Sequence, residues 1–228
     1  MEKEDKKVKK KDFIEIKFTG FANGEMFDSN IEEDLKKVNP KAKAKETIVM
    51  VGEGMLVKGL DEFLEGKEVG KEYEVTIKPR DGFGERKGEL VRTIPLKVFT
   101  EKKVSPRPGM VLNMDNNIVK VITISGARVI TDFNNPLAGK ELEYKVKIVR
   151  KVTDEKEKVK SVLELLFKFV PDFDIKGNKV ILKGPKGLEQ FVKIMSSKFK
   201  DLLGKDLEFE EAKKEEKVKE EKSSEEKK

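Results

Sequence analysis

VGEGMLVKGLDEFLEGKEVGKEYEVTI, residues 51–77, is the stretch from which the rest of the chain can be read. Its first half puts Leu60, Phe63 and Leu64 on one helical face, and Gly66 stands where so short a helix should end. Its second half alternates, with Tyr73, Val75 and Ile77 on one side, as in an antiparallel strand with one wet face. The apolar run Ile48–Val51 leads into it.

Upstream, FIEIKF (13–18) puts Ile14, Ile16 and Phe18 on one face of a half-buried strand. Asn23-Gly24 within TGFANGEMFD (19–28) is a tight-turn signal, so the chain should fold back there. Residues 32–46 are polar and Lys-rich and read as a surface excursion. Downstream, GKELEYKVKI (139–148) repeats the strand pattern with Leu142, Tyr144, Val146 and Ile148. Between the two strands lies a different texture, with Pro95, Pro106 and Pro108 followed by MVLNM, IVKVITI and ARVI. Turn signals stand at Asp115-Asn116-Asn117 and Ser125-Gly126. Residues 86–130 thus read as a small β-rich unit inserted into a parent domain. Beyond Val152, residues 154–170 form an amphipathic helix ending at Pro171, and 173–182 a hairpin turning at Gly177-Asn178. Residues 185–203 form a second helix, with Leu188, Phe191, Val192, Met195, Phe199, Leu202 and Leu203 assigned to one side. LEFEE (207–211) is an edge strand, and the charged tail after it is expected to be disordered. The fold class is α+β.

Composition removes many chemistries. The 228 residues contain no Cys, no His and no Trp, and one Gln, at Gln190. Disulfides, thiolate nucleophiles, imidazole bases and the common zinc sites are therefore excluded, and no metal site is expected. Any activity must run on apolar surface, carboxylates, hydroxyls, amides or cations. Abundant Lys and Glu with few thermolabile side chains match proteins of hot environments. No apolar stretch reaches the length of a membrane span, and the charged N-terminus lacks the apolar core of a signal peptide, so a cytoplasmic location is expected. The net charge is +6. Residues 86–130 hold nine basic and three acidic side chains, so this segment carries the whole excess. Such a basic face suits acidic or unfolded chains. Nucleic acid is the weaker reading, because interleaved surface aromatics and nucleic-acid motifs are missing.

Three motifs in order carry a resemblance to the FKBP-type prolyl isomerases, in the SlyD-like branch with an inserted flap domain. They are FTGFANGEMFDSN (18–30) with its Phe27-Asp28 pair, the 51–77 stretch, and the pair RDGFGE (80–85) and NPLAGKELEYKVKIV (135–149) flanking the insert. The resemblance covers about residues 8–152. It implies an antiparallel sheet wrapped on a short helix in residues 1–85 and 131–152, and an inserted chaperone domain in 86–130. Residues 153–228 resemble the α+β C-terminal extension of long archaeal members. The implied pocket comprises Phe18, Phe27, Asp28, Leu56, Val57, Leu60, Phe83, Leu137 and Tyr144. Leu56, Val57 and Leu60 floor the proline ring, Phe18, Phe83 and Tyr144 wall it, and Asp28 is the one charge. The Val57 N–H is a candidate donor to a substrate carbonyl. The implied activity is prolyl cis-trans isomerisation without a cofactor, on unfolded or proline-containing polypeptides. A non-catalytic holdase that keeps the fold is the alternative. Phe18 and Phe83 stand where many members carry Tyr, Leu60 where single-domain members often carry Trp, and Asn135 where relatives often have His. The nickel binding of some SlyD proteins has no His or Cys to use here. Leu96, Phe99, Met110, Leu112, Met114 and Ile118 of the insert are expected to offer adaptable apolar contacts to clients. The C-terminal unit is expected to help bind clients or to make a homodimer.

Overall fold

A computed structural model describes residues 6–38, 40–114 and 117–211. The chain divides into two compact units, Met1–Val152 and Thr153–Lys228. In chain order the first contains β1 (Phe13–Ala22), β2 (Glu25–Ser29), α1 (Glu32–Val38), β3 (Thr47–Met50), α2 (Lys58–Leu64), β4 (Glu72–Ile77), β5 (Val91–Pro95), α3 (Leu96–Glu101), β6 (Val111–Met114), β7 (Asn117–Ser125), β8 (Arg128–Asp132) and β9 (Leu142–Lys151). The second contains α4 (Glu155–Phe167), β10 (Asp172–Lys176), β11 (Lys179–Gly184), α5 (Leu188–Leu203) and β12 (Asp206–Glu211).

β1 organises the parent sheet. It pairs with β9 along its whole length, while its other edge is shared by β3 near Phe13 and by β2 near Ala22. β4 extends the sheet beyond β9, all antiparallel. The β1–β2 reversal needs left-handed backbone at two successive residues, and Asn23 (φ 53°) and Gly24 (φ 76°) supply it. Ile14 and Ile16 of β1, Leu142, Tyr144, Val146 and Ile148 of β9, and Ile77 of β4 bury one sheet face against Leu60 and Leu64 of α2. One contributor comes from the Lys-rich N-terminus, where Val8 is buried through backbone bonds to Lys67 and Gly66.

The polar 32–46 segment is not wholly irregular, since it opens with α1. A long-range bond holds that helix: the Thr19 hydroxyl donates to Asp34 Oδ2 at 2.6 Å.

The insert has its own antiparallel sheet, in the order β5-β8-β7-β6, and its own core of Phe99, Val121 and Val129. β5 and α3 are elements that the sequence reading passed over. The turn expected at Asp115-Asn116 lies outside the described residues, as does the charged tail after Glu211.

In the second unit, β11, α5 and β12 make a parallel βαβ crossover, with β10 antiparallel on the far side of β11. Asp154 caps α4 by accepting from the Glu157 N–H at 2.8 Å. The stripe assigned to α5 is corrected here. Val192, Phe199 and Leu202 are buried, but Phe191 faces solvent at 57% exposure, beside Ile194 at 70%. A helix on a three-stranded sheet can hide only the arc that meets the sheet and α4, so a seven-residue apolar set overflows it.

Candidate functional site

The described residues bring together an aromatic cluster at one end of the parent sheet. Tyr144 of β9 is the hub. Its ring lies 6.2 Å from Phe18 of β1 and 5.8 Å from Phe27 of β2, edge-on to the latter. Phe27 in turn meets Phe83 edge-on at 6.2 Å. Such tilted and edge-to-face pairs suit ring quadrupoles. The arrangement needs a narrow place in β1, and Gly20 provides it. A Cβ there would sit 2.7 Å from the tip of the Phe27 ring and 3.0 Å from Tyr144. Glycine inside a strand often marks such a close approach, so the signal was present in TGFANG but was not used.

Phe18 is held in register from behind by Asn30. The Phe18 N–H donates to Asn30 Oδ1 at 2.7 Å, and Asn30 Nδ2 donates to the Ile16 carbonyl at 2.7 Å. Leu56, Val57 and Leu137 pack half-buried against the same core, whereas Leu60 is sealed within it. The exposed surface of this floor is therefore Leu56 and Val57, with Leu60 as the layer beneath. Val57 occupies the N-cap position of α2, and its N–H has no hydrogen-bond partner among the described residues. Helix starts leave such donors free.

Asp61, on the first turn of α2, is a residue that the sequence reading missed. It is buried, and its carboxylate accepts from the Gly52 N–H at 2.8 Å and the Gly54 N–H at 2.9 Å. It thus ties the 51–57 loop, which carries Leu56 and Val57, to the helix. An acid between Leu60 and Phe63 was the available sign.

The cluster is poor in charge. Partial withdrawal from water pushes the Asp28 carboxyl above its ordinary value, against a lowering backbone hydrogen bond at Ser29. Asp28 still reaches solvent, which screens much of this effect. Burial, and then the Asp28 charge, pushes the Tyr144 phenol up to about 12. The unfolded chain releases that proton first, near pH 10. Stability is therefore expected to fall as pH rises from about 10 toward 12. An ultraviolet titration should show one of the two tyrosines ionising only near pH 12, and Tyr144→Phe should abolish that phase.

The insert corrects the expected client surface. Leu96, Phe99, Leu112 and Met114 turn inward onto its core, with Phe99 only 2% exposed. The physical reason is that α3 and the connection to β6 cover one face of this small sheet and draw the inward positions of β6 with them. Met110 and Ile118 do face solvent, and Val111 and Ile122, which were overlooked, join them at 59% and 39% exposure. Val111 and Ile122 line a groove of about 610 Å³ together with Ile118, Lys120, Pro136, Ala138 and Lys140.

A clasp closes the neck of the insert. Asn134 Oδ1 accepts from the Lys87 N–H at 2.9 Å, and its Nδ2 donates to the Lys87 carbonyl at 2.9 Å and to Asp132 Oδ1 at 2.7 Å. Arg86 Nη2 donates to the other Asp132 oxygen at 2.8 Å. Burial pushes the Asp132 carboxyl up, but hydrogen bonds from the Asn134 N–H, the Asn134 amide and Arg86 outweigh it and hold it below its ordinary value.

Among the described residues no cluster of His, Cys, Asp or Glu could hold a metal ion, and no helix is long and apolar enough to cross a membrane.

Comparison with known proteins agrees with this geometry. The FKBP-type peptidyl-prolyl cis-trans isomerase family matches residues 4–149. A short-type peptidyl-prolyl cis-trans isomerase of Methanocaldococcus jannaschii is 33% identical over 144 residues, covering 62% of this chain and 92% of that protein. The FKBP-type isomerase SlyD of Haemophilus influenzae is 38% identical over 105 residues, or 43% of this chain and 53% of that protein. The SlyD of Escherichia coli K12 is 32% identical over 109 residues, or 46% and 56%. The chain therefore spans about half the length of each SlyD it matches. A sheet wrapped on a short helix, an aromatic cluster at its end, an inserted β-rich unit and a match across most of the first unit place this chain in the FKBP-type peptidyl-prolyl cis-trans isomerase family, among its SlyD-like members.

Proposed function

We propose that the isomerase works at the aromatic cluster and that the insert holds unfolded clients beside it. The reaction is rotation about an X-Pro amide, whose barrier of about 18–20 kcal/mol is the loss of amide resonance. The planar amide is more charge-separated than the twisted one. A dry apolar surface therefore disfavours the planar state relative to the twisted one, which is differential binding of the transition state without an acid or base. A 10⁴-fold acceleration needs about 5.4 kcal/mol of that preference. In this reading the proline ring rests on Leu56 and Val57, backed by Leu60 and Leu137. Phe18, Phe27, Phe83 and Tyr144 wall it, the Val57 N–H donates to a substrate carbonyl, and Asp28 lies beside the twisting bond.

The observation that carries the catalytic reading is the mutual packing of four aromatic rings, three of which share a core with Leu56 and Val57. The client reading rests on the exposed Met110, Val111, Ile118 and Ile122 of the insert. One experiment tests both. Residues 88–132 are replaced by a short loop, and turnover of a short X-Pro peptide is compared with proline-limited refolding of a protein. The variant should keep peptide turnover within about threefold and lose about tenfold on the protein. Absent peptide turnover in the intact chain would leave only a holdase. Equal loss on both substrates would overturn the client role of the insert.

The second unit exposes Phe169, Phe191 and Ile194. Apolar surface of this kind marks protein contact, and a second copy of the chain is the partner we assign to it. A monomeric mass by light scattering at high concentration would overturn that assignment.

A further inference from the structure

The groove on the insert and the aromatic cluster share a wall. Pro136 and Ala138 line the groove, while Leu137 between them packs on the core beneath the cluster. Neighbouring Cα atoms are about 3.8 Å apart, so one short loop separates the two surfaces. The groove is not merely apolar. Its charged lining residues are Arg86, Lys120, Lys140 and Asp132. Asp132 is already spent on Arg86 and Asn134. Lys120 and Lys140 have no ion-pair partner among the described residues, and they flank the exposed Val111, Ile118 and Ile122. Unpaired cations beside aliphatic side chains complement a segment that carries Asp or Glu next to aliphatic residues, and they repel a basic one.

We propose that one client chain occupies both surfaces at once, its X-Pro bond at the aromatic cluster and an acidic-aliphatic segment in the groove, so that the enzyme selects prolines lying near such segments. This rests on the reading of the insert as a client-binding unit. Linking two weak contacts through one chain raises apparent affinity by effective concentration, without changing the chemistry at the bond. The signature is therefore a lower KM at constant kcat.

The test uses the intact chain and seven peptides: an X-Pro core alone, and the same core with an aliphatic tail flanked by Glu, Gln or Lys, each tail placed before or after the proline. The Glu tail should lower KM about tenfold relative to the Lys tail, with Gln between and kcat within twofold throughout. The spread should shrink between 50 and 500 mM salt, as contacts between exposed charges do. The double variant Lys120→Glu, Lys140→Glu should reverse the order and leave turnover of the bare core unchanged. Equal KM for Glu and Lys tails, both below the bare core, would overturn the charge selection while leaving the client reading standing. Tails without effect, in a chain whose insert is still needed for protein refolding, would overturn shared occupancy. If the insert is dispensable for refolding as well, the client reading itself has failed.

Discussion

Gly20→Ala is expected to cut kcat/KM for a short X-Pro peptide by about 100-fold while costing only about 1–3 kcal/mol of stability. The added methyl would lie 2.7 Å from Phe27 Cζ and 3.0 Å from Tyr144 Cε1. Real Cβ contacts are longer, so one ring or the strand must move. Gly20 has no left-handed φ, which leaves the backbone unstrained and confines the damage to the rings. Misplacement by about an ångström at a reacting centre can cost 10²-fold. Phe27→Leu in the same chain removes the ring tip in the way. It should restore most of the stability and little of the activity, because two residues in contact couple in the folding equilibrium while the wall stays incomplete. Urea unfolding with peptide kinetics on both variants checks this. Unchanged kinetics in Gly20→Ala would remove the aromatic cluster as the site of reaction.

Asp61→Ala should be the more destabilising change, by about 2–4 kcal/mol, with a loss of about 30-fold in kcat/KM. The carboxylate satisfies two backbone donors, from Gly52 and Gly54. Removing it leaves both without their protein partner; an unsatisfied donor costs about 1–3 kcal/mol when buried, and these two are only partly so. Water can reach part of the loop, which holds the effect to the lower half of the summed range. The activity loss has a separate cause: without the tie, Leu56 and Val57 are no longer fixed relative to α2. Asp61→Asn keeps one acceptor oxygen and should fall between the two. Lost stability with full activity in the folded fraction would show that the floor is held by packing alone.

The parts of the fold that could be read from the sequence were those set by local chemistry. Asn23-Gly24 names its turn, Gly66 ends α2, and alternation in β4 and β9 matches strands that lie side by side, Tyr73 opposite Val146 and Val75 opposite Tyr144. What escaped was set by distant partners. α1 is mostly polar, with Leu35 partly buried, and is tied to β1 by the Thr19 hydroxyl on Asp34. Val8 stands alone among lysines and enters the core because the 66–69 backbone pairs with it. In the insert, Val111 and Leu112 are adjacent and equally apolar, yet one faces water and the other the core. Only the strand register decides which, and register comes from pairing with β7. The site was legible as a set of residue types through its family resemblance. Gly20 and Asp61, which shape it, contribute no contact surface of their own and so drew no notice.

The neck clasp bears on how this molecule opens. The Asn134 amide bridges Lys87 and Asp132 as a ladder rung would, and the backbone continues that rung through the Phe133 N–H on the Leu90 carbonyl at 3.0 Å and the Gly139 N–H on the Gly84 carbonyl at 2.8 Å. The insert has a small core of its own beyond that rung. Its amides should therefore exchange hydrogen as one cooperative block, with protection well below that of β1 and β9, through excursions in which the block melts and the parent sheet does not. Asn134→Ala should release that block from the neck outward, lowering protection on β5 and β8 first.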